Sequence, residues 1–438
     1  MKQKLKLFLK GILVMLLLAM KSLPCNAIGA YGAVDFNRLT NRNGLSNSQV
    51  NAIFKDQKGY VWFGTQSGLD RFDGFRMKAF LYDDGNPNSI PNNSVDEIQQ
   101  AIDGSLWIHT GVGYCIYQYD KERFDRKPEE WLKTIGVDGP PYKLLIDSKK
   151  NMWMSVYGQG IYFVDVKNMT AFLFPFSKTK SRSSLPDYQV SCIREDNGQA
   201  VVTFDNGVIC RLDGYAQQVV WMDRFILNNR LSTDHSVFTF VDSKNNYWVN
   251  TNLGIYVYHK NLKKWFVGAK GYLATFGFNV PAYPGRKVII RDMARDKQGH
   301  MWIATDHNGL IYLDYAKKIC RQFMYNPNDK GSISDNSLPE LYVDDNDALW
   351  VGTYKNGVNY YSASSTKFYT IPLGDVCTIT QDLNGNLWCG TNDAGIVAYN
   401  PTTGQSSRFY GAKTGLGSEV VVSSTTMKDG TLYFGTFN

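Results

Sequence analysis

At 438 residues the chain is too long for most single compact domains, although repeat folds escape that rule. A content of 43% hydrophobic and 14% aromatic residues suits a globular core, and 39 Gly with 14 Pro suits many short strands joined by tight turns. The formal charge of +7 falls to +2 once five lysines in the first 27 residues are set aside, so the chain gives no electrostatic reason to expect nucleic acid or a membrane surface as a partner.

Those residues, 1–27, read as a secretory signal peptide. Lys2, Lys4, Lys6 and Lys10 precede an apolar run from Gly11 to Met20, and small residues near Cys25-Asn26-Ala27 offer a cleavage site. The run is short for a membrane span, and Leu23-Pro24 is a poor context for lipidation of Cys25. No second apolar run of that kind follows, so no membrane span is expected after cleavage. Six cysteines remain: Cys115, Cys192, Cys210, Cys320, Cys377 and Cys389. Cys192 and Cys210 fall on the first and third strands of one expected sheet, too far apart to bridge, and no Cys-x-x-Cys pair exists. Buried free thiols are the expectation, with no metal and no cofactor.

From Val50 onward the chain repeats. An alternating apolar strand leads into Asp-x-x-Gly-x-x-Trp-x-x-Thr, a short turn, and a Gly-apolar pair. Asp56, Gly59, Trp62 and Thr65 form the first copy. Asp103-Gly104 with Trp107 and Thr110 is shortened at the turn; Asp147 with Trp153 follows. A degenerate copy, Glu195-Asp196-Asn197-Gly198, has Val201 where Trp is expected. Asp242 with Trp248 and Thr251, Asp296 with Trp302 and Thr305, and Asp344 with Trp350 and Thr353 come next. Asp382 with Gly385, Trp388 and Thr391 is the best preserved copy, and Asp429-Gly430 with Tyr433 is the last.

Seven of the ten Trp lie at the aromatic position, namely Trp62, Trp107, Trp153, Trp248, Trp302, Trp350 and Trp388. Recurrence every 38 to 54 residues fits a propeller blade of four short strands. Asp-x-x-Gly makes a tight turn, in which Asp bonds its own backbone and Gly takes positive φ. Trp on the second strand fills the gap between stacked blades, contributing about 2–3 kcal/mol per ring. Aromatic stretches such as Lys78-Ala79-Phe80 and Arg408-Phe409-Tyr410 supply the outer strand. The expected fold is therefore all-β: a seven-bladed β-propeller of four-stranded antiparallel blades over residues 34–372. The strand near Phe36–Leu39 closes it against blade seven. Residues 373–438 are then the first blade and part of a second blade of a second propeller that this chain does not complete.

The repeat resembles that of the two-component-regulator propeller family. The resemblance rests on Phe36-Asn37-Arg38-Leu39-Thr40, Asn43-Gly44-Leu45-Ser46, the first Asp-x-x-Gly-x-x-Trp-Phe-Gly-Thr, and Gly68-Leu69-Asp70-Arg71-Phe72-Asp73-Gly74. It extends over nearly all of the chain beyond the leader. It implies the periplasmic sensor region of a bacterial hybrid two-component regulator that controls polysaccharide use. Such a parent is a membrane-tethered homodimer with histidine kinase, receiver and DNA-binding parts. None of His109, His235, His259, His300 or His307 sits in a phosphoacceptor context, and no Gly-rich nucleotide box appears. The chain is thus expected to be a fragment without enzymatic activity of its own.

In propellers the loops between second and third strands share a face with the links between blades, and ligands usually bind there. The side chains singled out on those loops are Gln66, Tyr157, Gln159, Asn252, Asp306, His307, Asn308, Tyr354, Lys355, Asn356 and Asp393. His109 joins them because it replaces the Gly of a Gly-Thr pair. Amides, acids and tyrosines suit an oligosaccharide or similar hydroxyl-rich ligand, but Asn, Asp and Ser are also what turns contain. The tyrosines on third and outer strands, among them Tyr256, Tyr258, Tyr312, Tyr315, Tyr360 and Tyr361, are expected to pack the blades. A propeller glycoside hydrolase or polysaccharide lyase is one alternative, and a non-catalytic protein-binding scaffold is another. The sialidase box has one residue between Asp and Gly, whereas Asp56-Gln57-Lys58-Gly59 has two. No paired carboxylates or Ser-His-Asp set can be identified.

Overall fold

The computed structural model describes residues 34–437 apart from 178, 180, 281–287, 363–370, 372, 402, 404, 412 and 413. The expected signal peptide and Cys25 lie outside the described residues. The described residues divide into two compact units, one of residues 35–365 and one within residues 366–438.

In the first unit the described residues form seven four-stranded antiparallel sheets. Blade 1 comprises Val50–Lys55, Val61–Thr65, Gly68–Phe72 and Met77–Phe80, and blades 2 to 6 repeat this order along the chain. Blade 7 takes three strands, Leu341–Val343, Leu349–Gly352 and Val358–Tyr361, from its own segment. Its outermost strand is Asn37–Leu39, which pairs with Val358–Tyr361 in the register Asn37 opposite Tyr360 and Leu39 opposite Val358. The first strand of each blade touches the first strand of the next, and blade 7 returns to blade 1, so the sheets form a closed β-propeller. Closure leaves the first strands innermost, lining a central channel.

The repeated residues explain the blade. In blade 1 the Asp56 Oδ1 accepts from the backbone N–H groups of Lys58 and Tyr60 at 2.8 and 3.0 Å, which shapes the turn. Its Oδ2 accepts the Trp62 indole N–H at 2.6 Å. Blades 3, 5 and 7 repeat the carboxylate–indole bond through Asp147–Trp153, Asp242–Trp248 and Asp344–Trp350 at 3.0 to 3.2 Å. One buried acid thus orders both the turn and the ring. The Thr hydroxyl closes the far end of the second strand: Thr65, Thr305 and Thr353 donate to the carbonyls of Gly68, Gly309 and Gly357. Gly64 is required by proximity, since a Cβ there would lie 2.7 Å from the Val95 side chain of the next blade. A register shift recurs near the start of the first strand, after Val50, Val95, Pro141, Val190 and Ile290. This bulge bends the innermost strand, and nothing in the motif announces it.

Six ring tryptophans or their substitute fill the seams. Trp62, Trp107, Trp153 and Trp248 are almost wholly buried, and Trp302 and Trp350 are 7% exposed. Trp62 stacks on Phe80 of the outer strand and meets Tyr117 of blade 2 edge-on. In blade 4, Val201 is buried where the ring is missing, and the indole comes instead from the fourth strand: Trp221 packs on Tyr247 and Tyr258 of blade 5.

Three short helices, Pro128–Thr134, Phe225–Asn228 and Ala269–Thr275, were not expected from the repeat. They lie in the links between blades. The first places Trp131 against Trp107 with ring centroids 5.8 Å apart, and the third places Tyr272 against Trp248 at 5.4 Å. They cover the indoles rather than separate the sheets.

The second unit holds a four-stranded sheet, Val376–Gln381, Leu387–Thr391, Ile396–Tyr399 and Ser406–Phe409, and a two-stranded sheet, Val421–Thr426 and Leu432–Thr436. Asp382 accepts from the Trp388 indole at 2.9 Å, as in the ring. Six cysteines are free thiols; five are buried, but Cys377 is exposed, against expectation, because it occupies the bulge of a first strand with little packed over it. Among the described residues no helix is long and apolar enough to cross a membrane.

Candidate functional site

Hydrogen bonds fix which loops share a face. The backbone N–H of Gln66 donates to the carbonyl of Gln49, Gly111 to Ser94, and Tyr354 to Ser337, each joining a second-to-third-strand loop to a link between blades. Much of the polarity on these loops is consumed by that joining. Asn252 exchanges bonds with Thr233, Gln159 bridges Tyr162 and the carbonyl of Asp138, and Asn356 donates to the carbonyl of Ser334. Asn308 is buried and donates to the carbonyl of Asp306.

The ring brings six of the singled-out residues together where blades 6 and 7 meet: Asp306, His307, Asn308, Tyr354, Lys355 and Asn356. Asp306 pairs with Arg291 at 2.7 Å and with His307 at 2.7 Å, while the His307 N–H donates to the Ser337 hydroxyl. Partial burial pushes the Asp306 carboxyl up, but Arg291 and Ser337 outweigh it and hold it below its ordinary value. Tyr354 also meets Ser337 through its backbone. Lys355 and Asn356 line an adjoining pocket of about 350 Å³ with Arg38, Thr40, Tyr325 and Asp335. Gln66, Tyr157, Gln159 and Asn252 lie on other blades. Tyr157 is 82% exposed, with Tyr142 packed edge-on at 6.2 Å. Asp393 belongs to the second unit.

His109 lies elsewhere. It borders a cavity of about 440 Å³ in the central channel, its Nδ1 2.5 Å from Asp96 and its ring 4.6 Å from that of Tyr114. The channel is walled by first strands and carries charges that the loop-based reading missed: Glu97, Lys143, Arg194, Asp292 and Glu340. Their signal was present, as charged residues interrupting innermost strands. Because such strands turn one face toward each neighbouring blade, their charges do not stand out from blade packing in the sequence. Glu97 accepts from the Tyr114 hydroxyl at 2.6 Å. Burial raises the carboxyls of Asp292 and Glu340, Asp292 in spite of Arg194 and Glu340 with a further push from Asp292.

The tyrosines do more than pack. Tyr119 of blade 2 donates to Asp56 of blade 1 at 2.5 Å, Tyr315 of blade 6 to Asp242 of blade 5 at 2.7 Å, and Tyr247 of blade 5 to Asp196 of blade 4 at 2.5 Å. The turn acids are therefore shared between neighbouring blades. This burial and these bonds to carboxylates raise the phenols of Tyr119, Tyr247 and Tyr315.

Two segments of the chain, residues 44–67 and 284–307, match the two component regulator propeller family. Each of these two segments is thus similar to a two component regulator propeller repeat. The chain is 26% identical over 357 residues to histidine kinase P4 of Formosa agariphila, covering 74% of this chain and 24% of that protein. Among solved structures it is similar to the extracellular domain of the putative hybrid two component system BT3049 from B. thetaiotaomicron, at TM-score 0.67 and 22% identity. The corresponding domain of BT4673 from the same organism aligns at TM-score 0.54 and 17% identity. Each alignment covers 92% of this chain and 52% of the other. The chain thus spans about a quarter of that kinase and half of each of those domains.

Proposed function

We propose that the chain is the periplasmic sensing region of a hybrid two-component regulator, and that it recognises an oligosaccharide on the loop face of its ring. The observation that carries this reading is the match of its repeats and fold to regulator propellers from extracellular domains. The likeness at these identities supports the fold, and the ligand class is argued from the site. At blades 6 and 7 the carboxylate of Asp306 and the side chain of His307 share the loop face with Tyr354, and Lys355 and the partly exposed Tyr325 line the adjoining pocket. Planar polar groups pair with sugar hydroxyls while aromatic faces take the C–H side of the ring. In the parent protein, binding would bias a dimer across the membrane toward or away from kinase activity.

Calorimetric titration of the full chain with a panel of plant and host oligosaccharides tests this. At least one is expected to bind, and Asp306→Ala with Tyr354→Ala is expected to weaken it by about tenfold or more, equivalent to about 1.4 kcal/mol. A panel without a binder, or binding that the double variant leaves unchanged, would overturn the assignment. New reducing ends or unsaturated products during incubation would replace it with the hydrolase or lyase reading.

A further inference from the structure

On the turn face, at the other end of the blades from the loop face, one pair of positions recurs at the seams between blades. The first is the residue just after the motif acid of one blade. The second lies on the first strand of the next blade, opposite the residue that precedes the ring tryptophan or its substitute. Between blades 3 and 4 these are Ser148 and Glu195, and the Ser148 N–H and hydroxyl both donate to the Glu195 carboxylate, at 2.7 and 2.5 Å. Between blades 1 and 2 the Gln57 N–H donates to the Gln100 side-chain oxygen at 3.0 Å. Between blades 7 and 1 the sense is reversed, and the Lys55 ammonium donates to the Asp345 carboxylate. Each of these pairs sets a donor against an acceptor.

Between blades 5 and 6 both positions are donors. Ser243 follows Asp242, and Arg295, opposite Met301, stands where Glu195, opposite Ala200, stands in blade 4. The Ser243 hydroxyl is buried without a hydrogen-bond partner. Among the described residues the Ser243 N–H, the Arg295 guanidinium and the ammonium of the neighbouring Lys244 make no hydrogen bond or ion pair either. Ser243, Lys244 and Arg295 line one cavity of about 290 Å³. The two carboxyls on its wall are held by other groups. Asp296 accepts the His300 N–H at 2.8 Å and faces the His300 Nδ1 at 2.8 Å. One Asp314 oxygen accepts the N–H groups of Ala316 and Lys317, and the other lies 3.6 Å from His300 Nε2 and 3.9 Å from Lys317 Nζ. The remaining cation on the wall, Lys297, donates to the carbonyl of Asp345 at 2.6 Å.

What this seam lacks is an acceptor with at least two oxygens, in the place that the Glu195 carboxylate takes two blades earlier. A buried hydroxyl with no acceptor is costly, and a guanidinium beside it favours an anion that it can grip through two oxygens. A neutral ligand would leave Arg295 and Lys244 uncompensated, and a cation would be repelled by both. We propose that the cavity between blades 5 and 6 is a binding site for a tetrahedral oxyanion, a phosphate or sulfate group, held by the N–H and hydroxyl of Ser243, the Arg295 guanidinium and the Lys244 ammonium. The bound anion bridges the two blades as Glu195 bridges blades 3 and 4. The site stands apart from the loop face, so either assignment can fail without the other.

The test is thermal shift and calorimetry on the full chain with sodium phosphate and sodium sulfate, against sodium chloride at equal ionic strength. At least one of the two ions is expected to bind with Kd of about 1 mM or tighter. At about 10 mM it should raise Tm by about 2 °C over chloride. Arg295→Gln should weaken binding about tenfold or more. Arg295→Glu is the decisive variant, because it rebuilds the pairing of Ser148 with Glu195. It should abolish the response to both ions and melt above the parent chain in chloride alone, which mere damage to the seam would not do. Lys149→Gln, beside the seam that Glu195 already closes, should leave anion binding unchanged. No response to either ion at about 10 mM overturns the proposal. So does a response that both Arg295 variants retain, or an Arg295→Glu chain that melts below the parent.

Discussion

The ring and the carboxyl-terminal unit are built from the same motif and differ in what surrounds it. Trp62 and Trp388 are held alike: each donates its indole N–H to the Asp six residues before it, and each stacks on an outer-strand aromatic, Phe80 or Phe409, at 24° and 5.4 to 5.6 Å. Yet Trp62 is wholly buried and Trp388 is half-buried. The first strand Val50–Lys55 is largely covered, whereas Val376–Gln381 alternates between exposed and half-buried residues. Among the described residues, the buried cluster beneath Trp388's sheet is Leu373, Cys389 and Val397, with Ile371, Leu387 and Tyr399 partly buried against it. The best preserved copy of the motif therefore has a thinner core than the blades of the ring. The motif encodes geometry inside a sheet, and burial depends on the sheets beside it.

The largest expected effect follows from that difference. Trp153→Ala, at a fully buried ring position, should cost about 3–5 kcal/mol through lost burial and a cavity. Trp388→Ala, half-exposed to begin with, should cost about 1–2 kcal/mol. Denaturant unfolding of both variants, followed by near-ultraviolet circular dichroism, measures the gap. Equal costs would mean that the indole acts through its hydrogen bond, not its burial.

The turn acids give a smaller contrast. Asp242 accepts from two backbone N–H groups, the Asn246 amide, the Trp248 indole and Tyr315 of the next blade, all in buried surroundings. Asp382 accepts a similar set from its own sheet, with Asn386 and Trp388 as side-chain donors. Asp242→Ala strands buried donors and unties blade 5 from blade 6, and should cost about 3 kcal/mol. Tyr315→Phe separates the two roles: it removes only the bond between blades and should cost about 1 kcal/mol. A loss from Tyr315→Phe as large as that from Asp242→Ala would show that the tie between blades, not the turn, is what the acid chiefly serves.

What the sequence reveals follows the same division. The Asp, Gly, Trp and Thr of each copy are legible because their work is local: they bond within one turn or one pair of strands. Strand Asn37–Leu39 is legible because a ring must close, and the strand nearest the start of the repeats is the one placed to pair with blade seven. Trp221, Trp131 and Tyr272 are not, since each fills a seam left by a particular neighbour, from a strand or helix outside the motif. The loop residues are visible as a class, but turn chemistry and ligand chemistry use the same side chains. The structure separates Asn252 and Asn308, already engaged, from the Asp306–His307 cluster. The channel charges are hidden for a topological reason: Lys143, Arg194, Asp292 and Glu340 come together only when the ring closes.

The smallest contrast is in pH. Burial raises the Tyr342 and Tyr117 phenols in the ring to about 12, against about 10 in an unfolded chain. The neutral phenol is the folded form, so this stabilisation is complete below pH 10 and is lost as pH rises toward 12. In the second unit the Trp388 indole, followed by Asn386, holds the Asp382 carboxyl down to about 2. Its stabilisation is complete above about pH 4 and is lost as pH falls toward 2. Alkali should therefore loosen the ring and acid the terminal clamp. Absorbance near 295 nm reports the phenols, and the Trp388 indole N–H resonance, assigned by its loss in Trp388→Phe, reports the clamp. An indole resonance that stays fixed from pH 5 down to about 2 would remove the carboxylate from the account of that sheet. The hydrophobic stacking on Phe409 would then be what holds the ring in place.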